Sequence, residues 1–299
     1  MLGHLLLFSF LTLLYNMVPM NHLITITKSD GTKQLFEEEK LVSSLKRAGA
    51  SNQAIDEIVE QVENSIKEGM TTSEIYGHAF SLLRKHSVHI AVKYSVRRAL
   101  AELGPDGFPF ERFVARIFNT WGYETLTDQH VMGSCIEHEV DVIAWKSGVL
   151  AMVEAKFHNE FGLKSDVKVA LYVKARFDDI SGNAFDFGGM KQKLSERWLF
   201  TNTKFTDQAI KYSTCNNLKL IGWNYPADNN LHTIIEKYRL HPITCATSLN
   251  HQQKKDLVGR NILTCSDLVR QPEILKLIGI RQDSDIQRIL AEVSLLTEK

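Results

Sequence analysis

The 299-residue sequence predicts a mixed α/β protein in three parts: a helical domain with a small β lid, a domain with a mixed central sheet flanked by helices, and a small helical tail. Apolar residues recur at helical spacing in the first part, and two strongly apolar strands occupy the middle. A Gly/Pro-rich stretch at 104–109 separates these two parts. We therefore expect domains at residues 20–103, 108–238 and 240–299.

Composition constrains the class of protein only loosely. The 35 Lys and Arg residues balance 35 Asp and Glu residues, so any affinity for nucleic acid must come from local patches. The four cysteines form no C-x-x-C pair, which argues against a structural zinc site. Their wide spacing is typical of reduced thiols in a cytoplasmic protein.

The first 19 residues form an apolar segment with an ambiguous meaning. They lack the basic start and small-residue cleavage site of a signal peptide. They are also shorter than the roughly 20 apolar residues that a spanning helix needs. We interpret residues 1–19 as an over-extended start before Met20 or as an apolar leader. A membrane anchor is the functional alternative, although we expect no stable membrane association.

The first domain combines a β hairpin with helices. Alternating apolar residues at 22–27 predict a strand, a turn follows at 29–32, and residues 33–36 return as a second strand. Apolar residues at helical spacing predict helices at 38–48, 52–68 and 87–100. Thr71 and Glu74 have the spacing of a capping box, which predicts the start of another helix.

This order resembles the ATP-cone, a nucleotide-binding module, over about 80 residues. The matching segments are 26–31, Phe36 with Lys40, and 69–75. The resemblance implies ATP or dATP as a regulatory effector and assigns nucleotide contacts to Lys28, to the run from Gln34 to Lys40, and to Thr72. Lysines can bind phosphates as point charges, and a hydroxyl near a helix N-terminus favours anions. The alternative is a small helical domain used for packing or for contact within a homodimer.

The middle domain begins with an amphipathic helix. Its apolar residues lie at positions i, i+3, i+4, i+7, i+8 and i+11, which places them on one stripe: Phe110, Phe113, Val114, Ile117, Phe118 and Trp121. Gly122 then ends the helix. Glu111 lies beside the stripe near the first turn, so its carboxylate could approach the end of a neighbouring strand.

Two apolar strands carry the residues with the clearest chemical meaning. The first, at 139–145, contains Asp141, and the second, at 149–156, contains Glu154 and Lys156. Alternation along the second strand puts Glu154, Lys156 and Met152 on one face. The short turn at Ser147 and Gly148 makes a hairpin, which would bring Asp141 close to Glu154 and Lys156.

Two carboxylates beside a lysine predict a site for a divalent metal ion. Burying such charges is costly unless they are compensated. Mg²⁺ binds oxygen ligands, often one or two carboxylates with phosphate and water, and Mn²⁺ could replace it. We expect Asp141 and Glu154 to bind the metal and Glu111 to support it. Lys156 would orient the attacking water or neutralise the developing charge.

These residues resemble the PD-(D/E)xK nuclease superfamily, in particular its Mrr-like restriction endonuclease branch. The matching pieces are Glu111 in the segment 110–114, Asp141, the run from Glu154 to Lys156, and the segment 203–206 before a helix. The resemblance implies a Mg²⁺-dependent endonuclease that hydrolyses phosphodiester bonds in DNA. Glu154 and Lys156 could instead be a solvated pair on an edge strand. Glu111 could be an ordinary first-turn carboxylate that the helix dipole favours.

Several residues are expected to support DNA binding. Basic side chains concentrate at 146–176 and 190–219, and the candidates for phosphate contacts are Lys168, Lys174, Arg176, Lys191, Lys193, Arg197 and Lys204. Gln192 and His158 could support the site itself. The tail is loosely similar to a helix-hairpin-helix module, with its hairpin at 277–280. The alternative functions are a non-catalytic, nucleotide-sensing DNA-binding regulator and a decayed nuclease fold that serves as an interaction module.

Overall fold

The computed structural model describes residues 24–28, 31–104, 106–160 and 162–297. The expectations for residues 1–19 and for the turn at Ser29 and Asp30 lie outside these residues. The chain divides into two compact units between Tyr94 and Ser95. Among the described residues, every helix is too short or too polar to cross a bilayer.

The N-terminal unit is helical with a small β lid, as the sequence predicts. Its core is formed by apolar residues from the lid and the helices, including Ile26, Leu45, Ile58, Val62 and Leu83. The elements are the antiparallel strands β1 (Thr25–Thr27) and β2 (Lys33–Leu35), followed by α1 (Glu38–Ala48), α2 (Asn52–Ser65) and α3 (Thr72–His86). Helix α4 (Val88–Ala101) begins in this unit and continues past its end at Tyr94.

Two details of this unit follow from capping. The Thr71 side chain accepts from the backbone N–H of Glu74, and the Glu74 carboxylate accepts from the N–H of Thr71, so the predicted capping box forms. Helix α2 ends at Ser65, three residues earlier than expected, because Ile66 is extended. That change of direction lets the Glu68 carboxylate accept a hydrogen bond from the N–H of Thr25 in β1.

The second unit is built on a mixed sheet with the strand order β10-β8-β5-β4-β3. Strands β3, β4 and β5 are antiparallel neighbours, whereas β5, β8 and β10 run parallel. The elements are α5 (Phe108–Thr120), β3 (Glu124–Met132), β4 (Glu137–Lys146), β5 (Val149–Lys156), β6 (Lys164–Ser165), α6 (Val167–Ser181), β7 (Ala184–Phe187), β8 (Met190–Thr201), β9 (Lys204–Phe205), α7 (Asp207–Cys215) and β10 (Leu218–Ile221).

Both faces of this sheet are covered by helices. Neighbouring residues of opposite orientation, such as Ile143 and Val142 or Met152 and Val153, are all fully buried. Ile143 and Met152 belong to a core shared with α6 and α7, while α5 packs against β3, β4 and β5. Because a strand covered on both faces loses its polar alternation, β5 reads as a continuous apolar run up to Glu154.

Helix α6 is fastened to the loop between β3 and β4 by Asp179. Its carboxylate accepts hydrogen bonds from the N–H of Cys135 at 2.8 Å, the N–H of Ile136 at 3.3 Å and the ring Nε2 of His138 at 2.7 Å. The bond from His138 is the main reason that the pKa of Asp179 is lowered to about 2. The loop passes so close to the helix that a Cβ atom at position 133 would overlap the Asp179 carboxylate.

We expect Gly133→Ala to lower the free energy of unfolding by about 1–3 kcal/mol, the usual range for overpacking. The added methyl group would overlap the Asp179 carboxylate and would lie 2.9 Å from the carbonyl oxygen of Ile136. Urea unfolding followed by circular dichroism measures the effect. Gly259→Ala is the matched control, since no atom lies within 4 Å of its Cβ position. Equal stability of the two variants would contradict this account.

The C-terminal region is helical, as predicted. Its elements are α8 (Leu231–Tyr238), a 3-10 turn (Ile243–Cys245), α9 (His251–Gly259), α10 (Cys265–Arg270), α11 (Ile274–Leu277) and α12 (Asp283–Ser294). Gly279 adopts φ 88° in the turn after α11, which explains the glycine there. An open depression of ≈ 670 Å³ lies between this turn and the end of α9, and none of the residues that line it is an expected catalytic residue.

Candidate functional site

The two strand carboxylates face each other where β4 and β5 separate. The paired register of these strands begins at Val142 and Val153, so Asp141 and Glu154 are the next residues outward. The Asp141 carboxylate accepts a hydrogen bond of 2.6 Å from the backbone N–H of Ala155. Beyond Val142 and Val153, this bond from a side chain takes the place of the main-chain hydrogen bonds between the two strands.

Burial, followed by the charge of neighbouring carboxylates, dominates the electrostatics of this site. Burial, followed by the charge of Glu154, raises the pKa of Asp141 to about 8. Burial also raises the pKa of Glu111 to about 7, with contributions from Glu139, Asp128 and Glu154. Glu154 of β5 thus acts electrostatically on both Asp141 of β4 and Glu111 of α5, and we call these three residues the carboxylate cluster.

Arg176 of α6 is the partner of Glu154. Its Nη1 donates to Oε2 of Glu154 at 2.5 Å, and the two side chains are only 13% and 18% exposed. The charge of Arg176 also opposes the rise in the pKa of Asp141. The expectation that Arg176 is a phosphate contact is therefore wrong for this conformation, because its guanidinium is committed to a carboxylate.

Lys156 lies two residues beyond Glu154 on the same strand, opposite Thr201 of β8. It is exposed, and its ammonium has no hydrogen-bond or ion-pair partner within the part of the chain that the structure describes. Its charge, after burial, lowers the pKa of His158. The structure places Lys156 beside the carboxylate cluster but in contact with neither Asp141 nor Glu154.

The remaining supporting residues divide between the two ends of the sheet. His158 lies at the carboxylate end, where its backbone bonds to the Asn202 side chain and its Nε2 lies 3.0 Å from Oγ of Ser165. Gln192, however, lies near the start of β8 at the opposite end, before the pairing of Leu194 with β5 begins. The prediction that Gln192 supports the site is therefore wrong, and Lys191 and Lys193 flank it at the same distant end.

Two other expected phosphate contacts are engaged elsewhere. Lys174 forms an ion pair with Asp178 at 2.5 Å, and Arg197 lies 3.9 Å from the same carboxylate. Lys168 is exposed at the start of α6, and its side chain has no partner among the described residues. Of the basic residues predicted from the sequence, Lys168 is thus the one best placed and free to meet an anion.

In the N-terminal unit, the structure brings three of the four expected nucleotide-binding residues to the lid and the start of α3. Thr27 pairs with Thr71, so Lys28 and Thr72 follow at adjacent positions. Gln34 pairs with Ile26, whose side chain is buried, so Gln34 shares the inner face of the lid. Lys40 instead forms an exposed ion pair with Glu37 at 2.7 Å, a contact of little net stability.

Comparison with known proteins identifies both ends of the chain. The ATP cone domain matches residues 24–102, and the C-terminal domain of AF1548-like proteins matches residues 241–297. An uncharacterized protein of Archaeoglobus fulgidus is 36% identical over 168 residues, which are 56% of this chain and 90% of that protein. The chain belongs to the AF1548-like family.

One solved structure agrees with this assignment. The crystal structure of AF1548, a protein of unknown function, superposes with a TM-score of 0.52 at 33% identity and covers 63% of this chain and 97% of that chain. Can2 from Sulfobacillus thermosulfidooxidans, in complex with cyclic tetra-adenylate, reaches only 0.30 at 12% identity, over 67% of this chain and 54% of that one. The latter likeness is too remote to carry an argument. Membership of the AF1548-like family therefore establishes relatedness and fold rather than an activity.

The donor set of this AF1548-like protein fits a hard divalent cation. Within the described residues, no three His, Cys, Asp or Glu side chains are arranged to hold a metal ion together. Mg²⁺ does not require three, because it is usually bound through one or two carboxylates and completed by water and phosphate. The pKa values of Asp141 and Glu111 are raised although Arg176 lowers the first and Arg112 lowers the second, so these two positive charges do not offset burial and the neighbouring carboxylates.

Three features of the AF1548-like site were not predicted from the sequence. Glu139 and Asp128 act on Glu111 across the β3–β4 pair, and β3 itself was not expected. Arg176 was expected to contact a phosphate, whereas its partner is the Glu154 carboxylate. Its position next to Val173 and Phe177, on the buried face of α6, could have indicated that its side chain points towards the sheet.

Proposed function

We propose that this protein is a divalent-metal-dependent nuclease that hydrolyses phosphodiester bonds in DNA and is regulated by nucleotide binding at its ATP-cone. The observation that supports the proposal is the position of Asp141 and Glu154 just beyond the last paired residues of β4 and β5, where Glu154 raises the pKa of Asp141 and of Glu111. Lys156 follows Glu154 by two residues on the same strand. Buried like charges of this kind are unfavourable in the protein alone, and a cation would relieve the repulsion.

The roles of the residues follow from their positions. Asp141 and the open oxygen of Glu154 would hold Mg²⁺ or Mn²⁺, with Glu111 as a supporting carboxylate. When bound, the metal would supply Lewis-acid stabilisation of a phosphate and would lower the pKa of a water molecule. Lys156 would donate to the phosphate or to the attacking water and so stabilise charge that develops during hydrolysis.

A polyanionic substrate is favoured by the cations around this site. Lys156 ends β5, Lys164 lies in β6 next to the Ser165 that contacts His158, and Lys168 lies in the first turn of α6. All three are exposed and lack an ion-pair partner in the described ranges. Together with the resemblance to Mrr-like enzymes, this arrangement favours an endonuclease that acts on DNA.

Regulation by nucleotide is proposed from the ATP-cone. Lys28, Gln34 and Thr72 line the lid and the start of α3, where a phosphate could meet one ammonium and the N-terminus of a 15-residue helix. The sequence has no glycine-rich phosphate-binding loop of the kind found in ATP-hydrolysing enzymes. We therefore propose that ATP or dATP binds as a regulatory effector and is not hydrolysed. The four free cysteines agree with a cytoplasmic location, and a homodimer remains part of the proposal.

Plasmid cleavage tests the proposed activity. Supercoiled DNA is incubated with wild-type protein in Mg²⁺, Mn²⁺ or EDTA, with and without ATP, and the nicked and linear forms are quantified on gels. We expect metal-dependent cleavage that Asp141→Asn reduces to the EDTA background. Glu124→Gln is the matched control, because Glu124 is an exposed acid on β3 of the same sheet. Cleavage by Asp141→Asn at the wild-type rate would reject the site.

The ATP-cone also supports a second function, a non-catalytic DNA-binding regulator that senses nucleotide. This alternative predicts DNA binding that responds to ATP but no cleavage with any divalent metal. Gel-shift measurements on the same proteins distinguish it from the nuclease. ATP-dependent binding without nicking in Mg²⁺ or Mn²⁺ would favour the regulator.

A further inference from the structure

Arg176 reaches the carboxylate cluster from the buried side of α6. It is flanked along the helix by Val173 and Phe177, both of which belong to the core under the sheet. Its guanidinium carbon lies 5.4 Å from the centre of the Tyr172 ring, one turn earlier. Arg176 is thus held by its contact with the Tyr172 ring as well as by the ion pair with Glu154.

The helix that carries Arg176 is tied to two other strands within the same turn. Asp178 lies near Arg197 of β8, and Asp179 is bonded to His138 and to the loop that leads into β4. Arg176 therefore approaches Glu154 from a platform whose distance to the strands is fixed. A guanidinium fixed in this way can define the orientation of the carboxylate that it binds.

The ion pair uses only one oxygen of Glu154. Oε2 accepts from Arg176, whereas no hydrogen bond or ion pair to Oε1 occurs among the described residues. We propose that Arg176 is a positioning residue: it fixes Glu154 through Oε2 and leaves Oε1 directed at a divalent cation shared with Asp141. This inference rests on the proposed nuclease function and adds to it a residue that orients one of the metal ligands.

The charge of Arg176 and its contact with Glu154 should act in opposite directions: the charge disfavours a nearby cation, whereas the contact orients a metal ligand. The positive charge of Arg176 repels a cation nearby, so its removal should not weaken metal binding. Loss of the contact lets the Glu154 side chain rotate, so its oxygen is no longer held in a productive position. Arg176 should therefore matter for turnover more than for metal affinity.

The test compares Arg176→Met and Arg176→Lys with wild type in two measurements. Mn²⁺ binding without DNA is followed by electron paramagnetic resonance of the free ion, and kcat is measured on plasmid at saturating Mn²⁺. We expect Arg176→Met to bind Mn²⁺ at least as tightly as wild type while kcat falls about 10–100-fold, the range typical of partners that orient metal ligands. Arg176→Lys should recover part of kcat, because its ammonium can still pair with Glu154.

Lys174→Met is the matched control, since it removes one positive charge from the same helix without touching the carboxylate cluster. It should leave kcat unchanged. The double variant Glu154→Gln with Arg176→Met should be no slower than Glu154→Gln alone, because Arg176 acts through Glu154. A kcat for Arg176→Met within threefold of an active wild type, or a further loss in the double variant, would overturn this inference alone. Absence of Mn²⁺ binding and cleavage in wild type would overturn the proposed function as well.

Discussion

Asp141→Asn is expected to stabilise the metal-free protein at pH 8. The pKa of Asp141 is raised from 3.8 to about 8 in the folded chain, chiefly by burial and by Glu154. Between those values the folded state keeps a proton that the unfolded state has lost, so this carboxyl makes the free energy of unfolding fall as the pH rises. Asparagine cannot ionise, and its side-chain oxygen can still accept from the N–H of Ala155.

The gain should be on the order of 2 kcal/mol at pH 8, since each pKa unit corresponds to about 1.4 kcal/mol and the amide still carries a desolvation cost. At pH 4 the gain should vanish, because the carboxyl is then largely protonated in the folded protein. Urea unfolding in EDTA at both pH values measures the difference. Glu124→Gln, which replaces an exposed acid on β3, is the matched control. An Asp141→Asn protein less stable than wild type at pH 8 would contradict the prediction.

A bound metal ion should make wild type more stable than Asp141→Asn, the reverse of the order expected without metal. A cation that binds only the folded state stabilises it by about 2.7 kcal/mol when present at one hundred times its Kd. We expect Mg²⁺ or Mn²⁺ to raise the unfolding free energy of wild type and to leave that of Asp141→Asn unchanged. Comparing the two proteins with and without metal distinguishes a carboxyl group that binds a cation from one that is buried without binding one.

Much of the fold could be predicted because the elements around the site have strong local signals. The stripe on α5, the turn at Ser147 and Gly148, and the apolar run of β5 each specify one structure. The short turn also specifies that β4 and β5 pair as an antiparallel hairpin. For that reason the juxtaposition of Asp141 and Glu154 could be predicted from the sequence.

What escaped prediction depends on contacts distant in sequence. Strand β3 has no clear alternation, because its exposed side carries Leu126 and Met132 while its other side carries Thr125, Thr127 and Gln129. The sequence therefore did not connect Glu139 and Asp128 with Glu111. The long β7–β8 hairpin places Gln192 at the far end of the sheet, although the sequence put it close to other basic candidates. The sequence alone does not distinguish Arg176 from an exposed arginine, because its contact with Glu154 forms only when α6 packs on the sheet.

Lys156→Ala should lower kcat about 10²–10³-fold, the usual cost of removing one preorganised donor from a developing charge. The exposed ammonium touches no carboxylate, so its loss leaves no buried charge unpaired and should change the unfolding free energy little. Mn²⁺ affinity should not fall, because a cation has been taken away from the neighbourhood of the metal. The measurement is kcat on plasmid at saturating Mn²⁺, with Mn²⁺ binding measured on the same preparation.

Lys164→Ala is the matched control for Lys156→Ala, because Lys164 is also exposed and lies in β6 beside the same end of the sheet. Loss of a phosphate contact there should raise KM for DNA and leave kcat near the wild-type value. Lys156→Arg should keep the charge but recover only part of kcat, since a planar fork does not present its donors as an ammonium does. Equal effects of Lys156→Ala and Lys164→Ala on KM alone would mean that Lys156 binds substrate without assisting the attacking water.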